Sequence, residues 1–421
     1  MGSSPTSSAL TKIISLDIDF WQYKCGSRNF IFMKILKNKF NRIFILLVVA
    51  IVLRFGIFIF LGEDYNSWLR LTAVILILGI GAGFVLQGTA KVIEETTDVL
   101  SKRTKLASGF LQSIATAFPD MALGIVAAII SLRLKDVDYS LAISFAIIAA
   151  ATTFGSNIYN VGHASWCIFR QNLANKKNQK ILMFPFIKKG GTIIPMAEHL
   201  EKPSLEELDN AMDVFSILTI LTAIVATTMV LFGQIKNPPL NISGDLYQLV
   251  RPAGLVILVL CALTMYYFRK AKKENLVVRD SLEESYQNQP NFIIFINLLF
   301  CGMAILLAAE VMVNAIQVFC NITGMPFIVA GVLAGIIGCL GEMIVIHNFT
   351  VNPAGRIGDA VVGVGMDNII TTLGASIVAV MGGIFLGGNA LILIFVVILT
   401  LNSILLWQVS KLKNYLLIKN N

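Results

Sequence analysis

Apolar and polar positions alternate along this chain on the scale of whole helices rather than of single residues. Long stretches built almost wholly from Leu, Ile, Val, Phe, Ala and Gly are separated by short polar loops. Runs of about twenty apolar residues match the hydrocarbon thickness of a bilayer at the helical rise per residue. The pattern predicts helices at 43–62, 70–97, 107–132, 139–164, 210–233, 248–268, 292–318, 325–348, 357–384 and 388–411. The expected fold class is therefore all-α, a polytopic membrane protein with about ten transmembrane helices.

The loops carry the orientation. "KNKFNR" precedes the first span, "SKRTK" follows the second, "RQNLANKKNQK" the fourth and "RKAKK" the sixth; Arg356 follows the eighth and "KLKNYLLIK" ends the chain. If the spans alternate, all of these lie on one side, and among the opposite loops only "RLKDVD" breaks the pattern. Lys and Arg concentrate on the cytoplasmic side of membrane proteins, which places both termini in the cytoplasm and makes a cell membrane the expected location. The longest loops, 165–209 and 269–291, read as solvated connectors. The first thirty or so residues are polar and mixed, and "MKILKNKFNR" at Met33 resembles a natural beginning.

Composition narrows the function classes. Of 421 residues, 56% are hydrophobic and only 14% charged, well below the quarter typical of soluble domains. The net charge of +8 sits in the short loops, so it reads as a topology signal rather than a nucleic-acid footprint. Cys25, Cys167, Cys261, Cys301, Cys320 and Cys339 form no CxxC pair, and His163, His199 and His347 share no ligand spacing. Neither a zinc nor a disulfide framework is expected, and the histidines read as structural.

The informative residues are polar ones at membrane depth. A carboxylate there costs about 2.5–3.5 kcal/mol on insertion scales and usually marks a substrate path. Asp120 follows a proline in "SIATAFPDMALG", Glu342 follows a glycine in "GIIGCLGEMIV", and Asp367 lies in "VGVGMDNIITT". Around them stand Thr116, Pro119, Gly155, Ser156, Asn157, Asn160, Gly338, Gly341, Asn368 and Thr371. Proline frees a carbonyl one turn back and glycine admits close approach, so broken helices lining a cavity are expected. Carboxylates, hydroxyls and amide oxygens together form a hard-oxygen shell suited to calcium, sodium or magnesium. Glycine and serine also serve plain helix packing, but three carboxylates beside them do not. Glu310, in "LLAAEVMVN", is a fourth membrane acid whose role as gate, interhelical bond or ion contact stays open. Arg54 reads as snorkelling from the first span.

The two halves repeat. Gln87 stands 33 residues before Asp120 and Glu310 stands 32 before Glu342. Each acid closes a helix-breaking motif, and each is followed by a polar cluster on the next helix, "GSNIYN" or "GMDNIIT". Five helices separate the copies, an odd number, so the repeats are inverted in the membrane, as in secondary transporters. On these motifs the sequence resembles the calcium:cation antiporter superfamily, the sodium/calcium exchangers and their relatives. "ATAFPD" is similar to that family's Gly-Thr-Ser-Leu-Pro-Glu-like motif, with Thr116, Pro119 and Asp120 in the threonine, proline and acid positions. "GSNIYN" matches its Gly-Ser-Asn motif. "GCLGE" keeps the acid, Glu342, but has Gly338 for threonine and Gly341 for proline; it also resembles the Gly-Asn-Ala-Ala-Glu motif of proton/calcium exchangers. "GMDNIIT" puts Asp367 at the serine position and Thr371 at the second asparagine position. Asp replaces Glu at 120, the tenth core helix has no obvious counterpart, and an extra helix leads the chain. The interval from Asp120 to Ser156 also exceeds that from Glu342 to Asp367 by about eleven residues, which adds roughly 8 Å per arm if both arms of a helical hairpin share it.

The resemblance implies a secondary active antiporter, not an enzyme, with sodium/calcium exchange by alternating access as its activity. Asp120 and Glu342 would be shared central ligands, completed by Thr116, Ser156, Asn160, Asp367 and Thr371. The spans at 70–97 and 292–318 would slide past the ion-binding core. Three acids near one site outnumber the two charges of calcium, so a further cation or a proton must balance them; proton- or potassium-coupled exchange is the alternative. A remote one, an intramembrane aspartyl hydrolase using Asp120 and Asp367, lacks a YD or GxGD pattern. No cofactor is expected and there is no phosphate-binding GxxxxGK[ST] loop. The partners are calcium, a monovalent counter-ion and the lipid bilayer, with no nucleic acid. The expected divisions are a tail (1–42), an extra helix (43–62), a first repeat (70–268), a cytoplasmic loop (269–291), a second repeat (292–411) and a tail (412–421).

Overall fold

The computed structural model describes residues 39–104, 108–200, 202–236, 245–268, 286, 289–353, 355 and 357–420. The N-terminal stretch 1–38 with Cys25, and most of the loops at 237–244 and 269–288, lie outside the described residues.

The first span is helix α1 (Lys39–Val52), which passes into a π-helical stretch at Leu53–Ile57 and a 3-10 turn at Phe58–Leu61. The second is α2 (Ser67–Ile80), a π-helical stretch at Gly81–Leu86, and α3 (Gln87–Thr104). Then come α4 (Ser108–Leu134), α5 (Tyr139–Lys177), strands β1 (Ile181–Phe184) and β2 (Ile187–Ile193), α6 (Leu205–Phe232), β3 (Gln234–Ile235), β4 (Leu246–Gln248) and α7 (Arg251–Phe268). The second half contains α8 (Asn291–Thr323), α9 (Phe327–Gly338), α10 (Leu340–Val351), α11 (Ile357–Met381), β5 (Phe385–Gly387) and α12 (Gly388–Asn420). Among the described residues nine helices are long and apolar enough to cross a membrane, and the bent pair α9–α10 makes a tenth. Each expected span has its helix.

The helix ends follow local chemistry. Asn66 caps α2 by accepting from Leu69 N, and Asp138 caps α5 by accepting from Leu141 N. Ser204 and Glu207 form a reciprocal capping box at the start of α6. Asn178 ends α5 in the left-handed conformation, with φ 48°, and Gly324 ends α8 with φ 70°.

Packing reproduces the repeat. Helix α5 lies on α9 as α11 lies on α4, and α5 lies on α12 as α11 lies on α6. α11 also packs against α7, whereas among the described residues no second-repeat helix occupies the equivalent place on α5. The most apolar windows of α5 and α11 are 83% and 78% buried, against 22% for the first span and for α7. The two helices bearing the second polar clusters thus form the centre, and the outer spans face lipid. Small residues allow that density. A Cβ at Gly155 would come within 2.8 Å of Val332 Cα, and one at Gly335 within 2.5 Å of Thr152 O. Close approach of α5 and α9 requires those glycines.

The additional residues between Asp120 and Ser156 are shared by both arms, since α4 runs on to Leu134 and α5 starts back at Tyr139. Three findings differ from the sequence expectations. The loop after the fourth span is no plain connector: α5 continues to Lys177 and is followed by the antiparallel β1–β2 hairpin. β3, β4 and β5 form a small antiparallel sheet, so the fold is helical with two minor sheets at its ends. That sheet joins the loop after α6 to the loop after α11, as alternating spans require of loops on one side. Finally, α4 is a continuous helix through Pro119, whereas α9 and α10 meet at Cys339 with a 50° bend. Among the described residues, only the second repeat has a broken span.

Candidate ion-binding site

The site forms where α4, α5, α10 and α11 cross. Asp120 is fully buried, as is Asp367, and Glu342 is 5% exposed. The three are close enough for each to feel the others' charge. Asp120 meets the second repeat at its break: a Cβ at Gly338 would land on Asp120 Oδ1. The glycine at 338 is therefore what lets α9 close over the first repeat's acid. The Ser156 hydroxyl lies beside Asp120.

The three acids differ in what holds them. Neither carboxylate oxygen of Asp120 or of Glu342 meets a hydrogen-bond donor. Asp367 is held by two: Thr116 Oγ1 donates to its Oδ1 at 3.3 Å and Asn160 Nδ2 to its Oδ2 at 2.9 Å. Asn160 also donates to Asn368 Oδ1 at 3.4 Å, and its own side-chain oxygen is buried without a partner. Ser156 gives its proton to Thr153 O at 2.9 Å, which leaves its lone pairs available. Thr371 donates to Asn157 Oδ1 at 2.8 Å and to Asn368 O at 3.1 Å. It braces α11 against α5 rather than touching an acid. Six of the seven named residues thus gather at the acids, and Thr371 bonds Asn157 and Asn368 instead. Among the described residues no three His, Cys, Asp or Glu side chains converge in metal-ligating geometry. The site mixes carboxylates with neutral oxygens instead.

Two readings of single residues change. Arg54 does not snorkel. From the π-helical stretch of the first span, its Nε and Nη2 donate to Glu310 Oε2 and Oε1 at 2.9 and 2.8 Å, and Phe58 lies under the guanidinium at 4.7 Å. Glu310 is thereby bound in a two-pronged ion pair across 256 residues of sequence. A paired charge at membrane depth was legible as a possibility, since both residues interrupt apolar runs, but their pairing was not. Asn402, in "LTLNSILLW", was passed over. It is fully buried with neither amide atom partnered, and a lone amide in an apolar span was the available signal. His163 and His347 stack at 5.9 Å, consistent with packing roles.

No family model matches this sequence, and no curated protein sequence does. Solved structures share its fold. The H+/Ca2+ exchanger CAX aligns with a TM-score of 0.50 and 16% identity, over 88% of this chain and 81% of that one. Native YfkE aligns with a TM-score of 0.51 and 12% identity, over 89% and 97% of the two chains. The sodium-calcium exchanger NCX_Mj aligns less closely, with a TM-score of 0.43 and 14% identity over 82% and 97%. At these identities the likeness is one of architecture: the chain has the exchanger fold.

Proposed function

We propose that this protein is a secondary active antiporter that carries calcium across the membrane in exchange for sodium. The observation that carries the reading is the pair of buried acids, Asp120 and Glu342, whose four carboxylate oxygens meet no donor. Oxygens that only accept, held at low dielectric without protein hydrogen bonds, are costly on their own and are compensated by a cation. Two carboxylates match the charge of one calcium ion, and hard oxygen donors match its chemistry. Neutral oxygens of Asn160 and Ser156 flank them, of the kind a dehydrated sodium ion requires. Asp367, held by hydrogen bonds from Thr116 and Asn160, contributes to the counter-ion position.

The packing supports alternating access. α8 lies against α1, α2 and α3, and these spans form a group beside the acid-bearing core. In the proposed cycle this group slides past the core, and the leading span travels with it through Arg54 and Glu310. The exchanger resides in a cell membrane with both termini in the cytoplasm. Cysteine labelling tests that orientation: positions within 269–291 should react from the cytoplasm and those within 236–246 from outside.

Asp367 supports a second reading, in which a proton replaces sodium, because a third acid beside two others is a ready proton acceptor. Inside-out vesicles with a calcium dye separate the two. Sodium-driven calcium movement that survives collapse of the pH gradient supports sodium coupling. Full movement driven by a proton gradient in sodium-free vesicles gives the proton reading, and no movement under either gradient refutes antiport of calcium.

A further inference from the structure

Between Asp138 and Glu198 the chain has no acidic residue, yet it carries Arg170, Lys176, Lys177, Lys180, Lys188 and Lys189. Arg170 is used internally: it is buried and its Nε donates to Leu182 O at 3.1 Å. The five lysines are exposed, at the end of α5 and on the hairpin. Between them, at the hairpin turn, Phe186 is 98% exposed and Ile187 55%. A bare aromatic and a branched aliphatic set among exposed lysines is the composition of an element that lies in the headgroup region of an anionic bilayer.

The position of the hairpin agrees. Asn178 turns the chain back with its left-handed backbone, so β1 runs alongside α5 instead of projecting from its end. Trp166 Nε1 donates to Met183 O at 3.2 Å, and Phe184 stacks on Trp166 and on His347 at 6.5 and 5.8 Å. On the other strand, Gly191 (φ 86°) lies where a Cβ would come within 2.8 Å of Val351 at the end of α10. The inner face of the hairpin is thus packed on α5 and α10, at the border of the membrane-crossing region, and the basic, aromatic face is turned away from the protein.

We propose that the outer face of the β1–β2 hairpin binds anionic phospholipid headgroups, with Lys176, Lys177, Lys180, Lys188 and Lys189 supplying the charge and Phe186 and Ile187 entering the acyl boundary. An acidic protein partner would satisfy the lysines but would not account for a bare Phe186 on an element that lies along the membrane spans. Since the inner face holds α10, which carries Glu342, lipid engagement bears on the broken span of the second repeat. That consequence rests on the role proposed for Glu342; the binding itself does not.

The test uses the full chain with Cys25→Ser and Phe186→Cys, labelled with bimane and placed in nanodiscs of phosphatidylcholine alone or with about a third phosphatidylglycerol. Quenching by headgroup spin-labelled lipid should be about two- to threefold stronger in the anionic discs, with a blue-shifted emission. High salt should remove the difference, because the attraction is screened. Lys180→Gln, Lys188→Gln and Lys189→Gln together should abolish it, while the three Arg replacements keep it. Equal quenching in both discs, or a difference indifferent to salt and to the lysines, overturns the proposal. Quenching that appears only on adding an acidic polypeptide also overturns it. The readout needs no transport, so it stands apart from the outcome of the vesicle assay.

Discussion

The two repeats place their acids on differently built spans. α4 runs unbroken through Pro119, and Asp120 projects from a regular helix, with Thr116 one turn before it and Ser156 beside it. Its counterpart breaks at Gly338–Cys339, and Glu342 lies in the first turn of α10, with Asp367 rather than a serine on the following helix. The first repeat therefore contributes one acid and several neutral oxygens, and the second contributes two acids and a glycine. The two halves interlock because of that inequality: the missing side chain at 338 is the space into which Asp120 fits. Divergence between the repeats has produced a single compact site rather than two similar ones.

The largest effect should come from the two unpartnered acids. Asp120→Asn and Glu342→Gln should each reduce calcium flux in reconstituted vesicles to background, while expression and monodispersity stay normal, because removing a buried unpaired charge relieves a cost rather than adding one. Robust transport by either variant breaks the assignment. Next comes the interlock. Gly338→Thr restores the residue type of the first repeat but drives a side chain into Asp120. It should abolish flux and cost about 1–3 kcal/mol of stability, as overpacking does, and a milder Thr116→Ala would show that the two positions are no longer equivalent.

Asp367→Asn keeps an acceptor for Thr116 yet removes the third charge. It should leave calcium binding detectable by isothermal titration but change the counter-ion dependence of exchange, and an unchanged dependence would separate Asp367 from coupling. A smaller effect is expected at the ion pair on the opposite side of the core. Arg54→Gln and Glu310→Gln should each lower thermal stability, and the double variant should recover part of the loss, with a coupling of about 1 kcal/mol. Additive losses would dissolve the link between the leading span and α8. The smallest effect is that of Ser156→Ala, a severalfold weakening of sodium-driven efflux that leaves the fold intact, since its hydroxyl donates to Thr153 O on its own helix and braces no second one.

The spans were legible because lipid imposes a length and a composition on each one separately. The acids stood out because each violates its apolar surroundings. The β1–β2 hairpin was not legible, as "ILMFPFIKKGGTI" carries no clean alternation and takes its order from Trp166, Arg170 and His347 on other elements. Nor did "TAFPD" reveal that its helix continues. A proline removes one backbone bond without forcing a break when neighbouring helices hold both sides.

By itself, then, the sequence determined what each segment is: ten apolar spans, an inverted repeat, and three acids with hydroxyl and amide companions. These follow from hydropathy and local chemistry, which act over a turn or two of helix. Only the tertiary structure decided how the polar groups are shared out. Asn160 is committed to Asp367, Thr116 shares its proton between Asp367 and Ser113 O, Asp120 and Glu342 are left as bare acceptors, and Arg54 reaches Glu310. Each of these depends on which helix faces lie together, and hydrogen bonds and charges at low dielectric are strong enough that one partner chosen excludes another.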